Sequence, residues 1–259
     1  MNELAPVLYE ESGRVACITI NREKRKNALD AATLKAIYDA LAQADANDGI
    51  RTVVIAGAGG SFCAGADLGA RDTLSSAVEV IEKHYKPVFM RIAELSKPVI
   101  AAVNGAAAGA GSALALVCYL SVMAEDAYLL FAFSNLGLIP DCGANWLLER
   151  AIGSKRAYQI VIEGGRLAAD DCLRLGLTNK VEHRDNVKSA AIEWAAELGE
   201  RAPLSLSLTK TVIRLSAISS YSEIVTLEGE LQEQCMRGSD FREGVTAFFE
   251  KRKPNFQGG

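Results

Sequence analysis

Asp141 is the side chain in this sequence best placed to move a proton. It follows Pro140 and precedes Cys142-Gly143, so it falls on a turn just before a helix rather than on a solvated helical face. Two small-residue stretches could assist it. Lys97 to Leu116 reads KPVIAAVNGAAAGAGSALAL, an apolar strand that runs through a glycine-alanine turn straight into a helix. Gly109 and Gly111 leave no side chain between backbone and ligand there. The helix starting near Ala110 opens with unpaired N–H donors at the positive end of its dipole. Ser61 to Leu68, SFCAGADL, repeats that logic, with Phe62 as an anchor in the core and Ala64, Gly65 and Ala66 too small to hide their own amides. Two such loops, each giving one N–H, can hold an oxygen as it gains negative charge while a nearby carboxylate takes or returns a proton. Each feature also has a plain structural reading. Small residues let a helix sit close on a sheet, and Asp141 could simply cap the helix starting near Gly143.

The elements that would position these loops follow from patterning. Val99 to Val103 reads as a strand buried on both faces, Val53 to Ala56 as a second, and Val15 to Ile20 alternates as a third. Asp30 is the expected N-cap of a helix with Leu34, Ile37 and Leu41 on its inner face. Strand, helix and strand recur, which is an α/β pattern. After Lys155 the pattern is helical: Pro203 starts a helix with Leu204, Leu208, Val212 and Leu215 at core spacing, and Phe241, Val245, Phe248 and Phe249 mark another. From Gly69 to Tyr85 the sequence is polar and helical without a clear stripe, and suits either a mobile roof over a pocket or an ordinary surface helix. With 259 residues, 49% of them hydrophobic, the chain can bury one large core, expected over residues 1–200 with a helical region over 201–259.

Composition removes several classes of function. The 28 basic and 32 acidic residues give a net charge of −4 with no basic tract, so nucleic acid is not an expected partner. No run of eighteen apolar residues occurs, and MNELAPVLYEESG lacks a basic region followed by an apolar core, so a cytoplasmic, soluble protein is expected. The 6 cysteines are scattered without a CxxC pair, which suits reduced thiols rather than a disulfide framework. Cys63 and Cys142 lie near the proposed site, but the 2 histidines, His84 and His183, sit at no spacing that suggests a base for a thiolate, a metal site or a serine triad. Gly57-Ala58-Gly59-Gly60 after a strand lacks the rest of a dinucleotide-binding fingerprint.

NREKRKNALD (Asn21 to Asp30), SFCAGADL, KPVIAAVNGAAAGAG, LGLIPDCGANWLL and DFREGVTAFFEKRKPNF (Asp240 to Phe256) together resemble the crotonase, or enoyl-CoA hydratase/isomerase, superfamily, in its order and at roughly its spacing. The resemblance implies a crotonase-like α/β spiral of ββα units with a helical C-terminal trimerisation region, assembled as a homotrimer or homohexamer. It also implies an acyl-CoA thioester substrate, coenzyme A being part of the substrate rather than a separate cofactor, and no metal. By position the oxyanion amides belong to Ala64 and Ala110. The coenzyme would lie against Arg25, Lys26, Ala28, Ala66, Asp67 and Leu68, with Lys251 reaching a phosphate within its own subunit or from a neighbouring one. Gly109 lines the site, and Tyr85, Val88, Phe133 and Trp146 set the depth of the acyl pocket.

Hydratases of the family use two glutamates, where this chain has Ala113 and Phe133. Asp141 coincides with the acid of the isomerase branch, and the surrounding segment is most similar to ring-epoxide isomerases of phenylacetate breakdown. The resemblance therefore favours an isomerase that shifts a double bond or opens a ring epoxide, with Phe133, Leu138, Ile139 and Trp146 expected to make Asp141's surroundings apolar and raise its pKa. A hydratase or lyase with an acid elsewhere, and a silent acyl-CoA binder, are the alternatives. Tyr119, where many relatives have aspartate, is a departure bearing on substrate choice.

Overall fold

Strands that are apolar on both faces need cover on both faces, and the fold supplies it by winding. The computed structural model describes residues 5–70 and 76–259. The chain begins with the hairpin β1 (Val7–Ser12) and β2 (Val15–Ile20), followed by α1 (Ala31–Ala46). Pairs of strands then alternate with helices. β3 (Thr52–Gly57) and β4 (Ser61–Cys63) precede α2 (Ala77–Val80) and α3 (Lys86–Glu94); β5 (Val99–Val103) and β6 (Ala106–Ala108) precede α4 (Ala110–Val117). β7 (Tyr119–Ala124) and β8 (Tyr128–Leu130) precede α5 (Ala144–Ile152) and α6 (Ser154–Glu163). β9 (Arg166–Ala168), α7 (Ala169–Arg174), β10 (Lys180–Glu182), α8 (Val187–Gly199), α9 (Pro203–Leu215), α10 (Tyr221–Arg237) and α11 (Ser239–Glu250) complete the order.

Among the described residues six strands form one sheet in the order β1-β2-β3-β5-β7-β10, and four three-residue strands form a second in the order β4-β6-β8-β9. β3, β5 and β7 each hand the chain to a short strand of the other sheet before the next helix, which is the ββα spiral expected from the resemblance. β3, β5 and β7 run parallel in register, Val53 opposite Val99 and Val99 opposite Tyr119, so their carboxyl ends deliver β4, β6 and the loops after them to the same side. Val15 to Ile20, read as an alternating strand, is buried at all six positions, because β2 is covered on both faces.

Asp30 caps α1 as expected, accepting from the Thr33 N–H at 2.8 Å, and Leu34, Ile37 and Leu41 are buried. The C-terminal helices differ from expectation. Neither α9 nor α10 has a fully buried residue in this chain, and Phe241, Val245, Phe248 and Phe249 of α11 are exposed. Their helical spacing is real, but the face it makes is not covered by the chain's own core. α9 is held down instead by Lys210, whose ammonium donates to the carbonyls of Ile92 at 2.8 Å and Leu95 at 2.9 Å at the end of α3. Of the Gly69 to Tyr85 stretch, residues 71–75 lie outside the described residues; from Ser76 onward the chain is helical, with Ser76 capping α2 through the Glu79 N–H.

Candidate active site

Two glycines let the loops meet. A Cβ on Gly111 would stand 2.1 Å from the Cys63 carbonyl oxygen, so only glycine lets α4 rest on β4. A Cβ on Gly65, whose φ is +85°, would stand 2.6 Å from the Ala108 carbonyl oxygen and 3.3 Å from the Ala110 nitrogen. The loop after β4 therefore lies directly against the start of α4. Ala110 is the first residue of α4, its φ is not positive, and its amide joins none of the turn, loop or side-chain hydrogen bonds. The neighbouring Gly109 amide is committed to the Leu130 carbonyl at 2.8 Å.

The second donor is not the one expected from the sequence. The Ala64 amide donates to the Lys26 carbonyl at 3.0 Å and has no hydrogen left for an oxyanion. Leu29 bridges to Ala66 in parallel fashion: its N–H donates to Gly65 at 2.7 Å and its carbonyl accepts from Asp67 at 2.9 Å. Such a bridge uses the groups flanking Ala66 and turns the Ala66 N–H to the opposite side. The free amide beside Ala110 is thus that of Ala66, which is exposed; it, rather than that of Ala64, has a hydrogen left for an acceptor.

Asp141 sits on a turn of two successive left-handed residues, Cys142 at φ +52° and Gly143 at φ +78°. Its carboxylate does not cap α5; the N-cap is Gly143 with no side-chain bond, and only the Asp141 backbone carbonyl accepts, from Ala144 at 2.9 Å. The capping alternative is therefore excluded. Oδ1 of Asp141 is closed off from solvent and has no hydrogen-bond partner. Burial raises its pKa above the usual carboxylate range, opposed by a weaker hydrogen bond from the Cys142 thiol. Leu138 and Ile139, expected to make its surroundings apolar, are exposed instead.

Cys142 links Asp141 to the oxyanion loops. Its thiol is pushed up by burial and by Asp141 with Cys63 close by, and Cys63 is the residue on which Gly111 rests. Burial pushes the Cys63 thiol up to about 12, so neither sulfur is a thiolate near neutral pH. Tyr85 lies close to this cluster. It is buried, its hydroxyl donates to the Leu29 carbonyl at 3.3 Å, and burial, Cys142 and Asp141 all raise its pKa, so it stays neutral. It is not among the residues lining the adjoining cavity, and neither is Val88, which is buried in the core.

A cavity of about 480 Å³ opens beside Cys142 and Gly143, between α3, the end of α4, α5 and α9. Of the residues expected to set its depth only Trp146 lines it, joined by Phe89, Met90, Tyr119 and Ile218. The Phe133 ring lies against Gly109 instead, within 3.7 Å of where a Cβ would be.

The expected coenzyme loop divides into open and committed residues. Arg25 and Lys26 are exposed, as is Leu68 at 80%. Ala28 is buried, with its carbonyl accepting from Arg22 at 2.5 Å, and Asp67 accepts from Arg22 at 2.9 Å, which holds its carboxyl below the usual range. Ala28 and Asp67 thus hold the loops together. Lys251 is the exposed, left-handed residue ending α11, and no recorded hydrogen bond or ion pair ties it to these loops. Sequence reasoning missed Arg22, which also pairs with Asp30 at 2.8 Å, and Asn27. Asn27 is fully buried at φ +58°, donating to Ala58 at 2.9 Å and Ser61 at 2.7 Å, and so fastens the Arg22 to Ala28 turn to the approach of β4. The only local signal was an asparagine at a turn, a residue that tolerates the left-handed region.

Two free amides near a helix start, a half-buried carboxyl and an adjoining apolar cavity are an arrangement able to move a proton next to an activated carbonyl. The chain belongs to the family described as enoyl-CoA hydratase/isomerase, which it matches over residues 10–259, and it is an enzyme of that crotonase superfamily. It is similar to the 1,2-epoxyphenylacetyl-CoA isomerase of Escherichia coli K12, 37% identical with 94% of this chain and 95% of that protein covered. It is also similar to the short-chain-enoyl-CoA hydratase of Clostridium acetobutylicum, 34% identical with 97% of each covered. The crystal structure of enoyl-CoA hydratase from Bacillus anthracis superposes with a TM-score of 0.93 at 31% identity, covering 98% of this chain and 100% of that one.

Proposed function

We propose that this enzyme is an acyl-CoA isomerase in which Asp141 alone carries the proton. The observation that supports this most is the buried, unpartnered Oδ1 of Asp141 near the Ala66 and Ala110 amides, with no second acid beside it among the described residues. The positions where a hydratase would carry its pair hold Ala113, fully buried, and Phe133. Asp30, the other acid acting on Tyr85, is engaged with Thr33 and Arg22.

The thioester oxygen accepts from the Ala66 and Ala110 amides. Asp141 removes a proton from the carbon next to the thioester, the electron pair moves onto the oxygen as an enolate conjugated with the 3,4 double bond, and the same carboxyl returns a proton at the γ-carbon. A 3-enoyl ester becomes a 2-enoyl ester with no change in composition. Each cradle donor supplies about 3–4 kcal/mol of transition-state stabilisation. The raised pKa of Asp141 suits this work, because a weakly acidic carboxyl removes a carbon-bound proton more readily than an ordinary one. Opening of a ring epoxide on an acyl-CoA would use the same cradle and carboxyl.

Coenzyme binding by Arg25, Lys26 and Leu68 belongs to this reading, as does assembly into a homotrimer or homohexamer through the uncovered apolar faces of α9, α10 and α11. Incubation with a 3-enoyl-CoA in D₂O tests it. An isomerase gives the 2-enoyl ester carrying solvent label, a hydratase gives a 3-hydroxyacyl ester, and a binding protein gives neither.

A further inference from the structure

The cavity has two ends of different character. One end, at Cys142 and Gly143, adjoins Asp141; the other, at Val117 and Tyr119, lies past the C-terminal end of α4. Eight residues of α4 separate the Ala110 amide from that far end, about 12 Å at the rise of an α-helix. The walls between are almost wholly apolar, yet the far end holds an arginine. Arg214 lines the cavity, and its recorded partner among the described residues is Glu94 at 3.8 Å, too long for a hydrogen bond. The other cations nearby among the described residues are occupied. Lys86 is paired with Glu82 at 2.8 Å, and Arg150 donates to the Ala217 carbonyl at 3.1 Å while its guanidinium lies 4.8 Å over the Trp146 ring. The Tyr119 hydroxyl is under the positive field of both Arg214 and Arg150. Tyr119 opens β7 in the left-handed region at φ +64°, and it also borders the adjoining cleft with Trp146 and Arg150.

We infer that this cavity takes a medium-length acyl chain whose far end carries a carboxylate, recognised by Arg214 and Tyr119. The inference rests on the reading that Ala66 and Ala110 hold the thioester. A methyl end pushed against Arg214 would strip water from a guanidinium and return nothing. A carboxylate would accept its planar pair of N–H donors and the Tyr119 hydroxyl, where the apolar walls strengthen the contact. The apolar middle of such a chain matches the walls between the two ends.

Calorimetric titration with two saturated acyl-CoA esters of equal length, one ending in methyl and one in carboxylate, tests this directly. The expected result is affinity about tenfold or more tighter for the carboxylate-ended ester, a preference that shrinks as NaCl is raised. Arg214→Met should bring the preference below about twofold, and Tyr119→Phe should reduce it several-fold. Equal affinity in the unaltered protein, tighter binding of the methyl-ended ester, or a preference that survives in Tyr119→Phe and in a folded Arg214→Met would overturn the inference. If Arg214→Met does not fold, the preference of the unaltered protein, its salt dependence and Tyr119→Phe decide. Neither ester can isomerise, so the result does not depend on Asp141; failure of the isomerase reading appears instead as no conversion of a methyl-ended 3-enoyl-CoA. If neither ester binds, the thioester reading falls and the inference with it.

Discussion

Gly65→Ala probes the junction that creates the oxyanion cradle. The added Cβ would stand 2.6 Å from the Ala108 carbonyl oxygen, and that oxygen is backbone in β6 and cannot step aside as a flexible side chain could. The loop must retreat by several tenths of an ångström, which separates the Ala66 amide from the Ala110 amide. Misplacement on the 1 Å scale costs about 10²-fold, and loss of one donor about 10²–10³-fold, so kcat should fall by roughly 10². The alanine must also occupy φ +85°, adding about 1–2 kcal/mol of strain. Gly13→Ala separates the two effects, because Gly13 has φ +57° in the β1–β2 turn and nothing within 4 Å of the added carbon. It should lower stability by about 1 kcal/mol and leave kcat unchanged. Turnover of a 3-enoyl-CoA and thermal unfolding midpoints would be measured for both variants. If Gly65→Ala keeps kcat within about threefold, or loses no more than Gly13→Ala does, the cradle is not where the reaction happens.

Asp141→Asn should unfold at a higher temperature than the unaltered protein at pH 7.5, and this advantage should shrink as pH falls. The folded-state pKa of Asp141 is raised, so the folded state holds its proton at higher pH than the unfolded chain does; the penalty is full above the raised pKa and disappears below the ordinary carboxylate range. Stability curves for both proteins between pH 4 and pH 8 check this, and an advantage that grows toward acid contradicts the sign. For the same reason the acid limb of the kcat/KM profile should lie above the ordinary aspartate pKa, as a rate profile would show. Arg22→Met strands the Asp67 carboxylate, whose side chain is only 9% exposed, and should cost about 2–4 kcal/mol of stability and raise KM, read from denaturant melts and initial rates. A variant of unchanged stability would show that Arg22 does not hold the loops.

Features encoded locally were legible in the sequence. Val99 to Val103 is a strand because β-branched residues and alanines with no polar face suit burial on both sides, and Asp30 caps α1 because its carboxylate meets an amide three residues on. Asp141 stood out by its neighbours Pro140 and Gly143, and it lies on the turn they suggested, just before α5. Features set by long-range register were hidden. Ala64 and Ala66 look equivalent in SFCAGADL, and only pairing with Lys26 and Leu29 decides which amide is spent and which is free. Arg22 and Asn27 act across 45 and 31 to 34 residues, and nothing in NREKRKN announces their partners. In α9 and α11 the periodic apolar residues revealed a face but not what covers it. Tyr85 and Phe133, expected on the pocket wall, have their positions set by distant partners: the Tyr85 hydroxyl donates to the Leu29 carbonyl, and the Phe133 ring lies against Gly109.

Exchange of the protons next to the thioester with D₂O, followed by NMR on an acyl-CoA that cannot complete isomerisation, isolates the step assigned to Asp141. The unaltered enzyme should incorporate deuterium at that carbon. Asp141→Asn should bind the ester with affinity within about threefold and incorporate none above the uncatalysed rate. Deuterium uptake by Asp141→Asn at a rate near that of the unaltered enzyme would show that another group moves the proton.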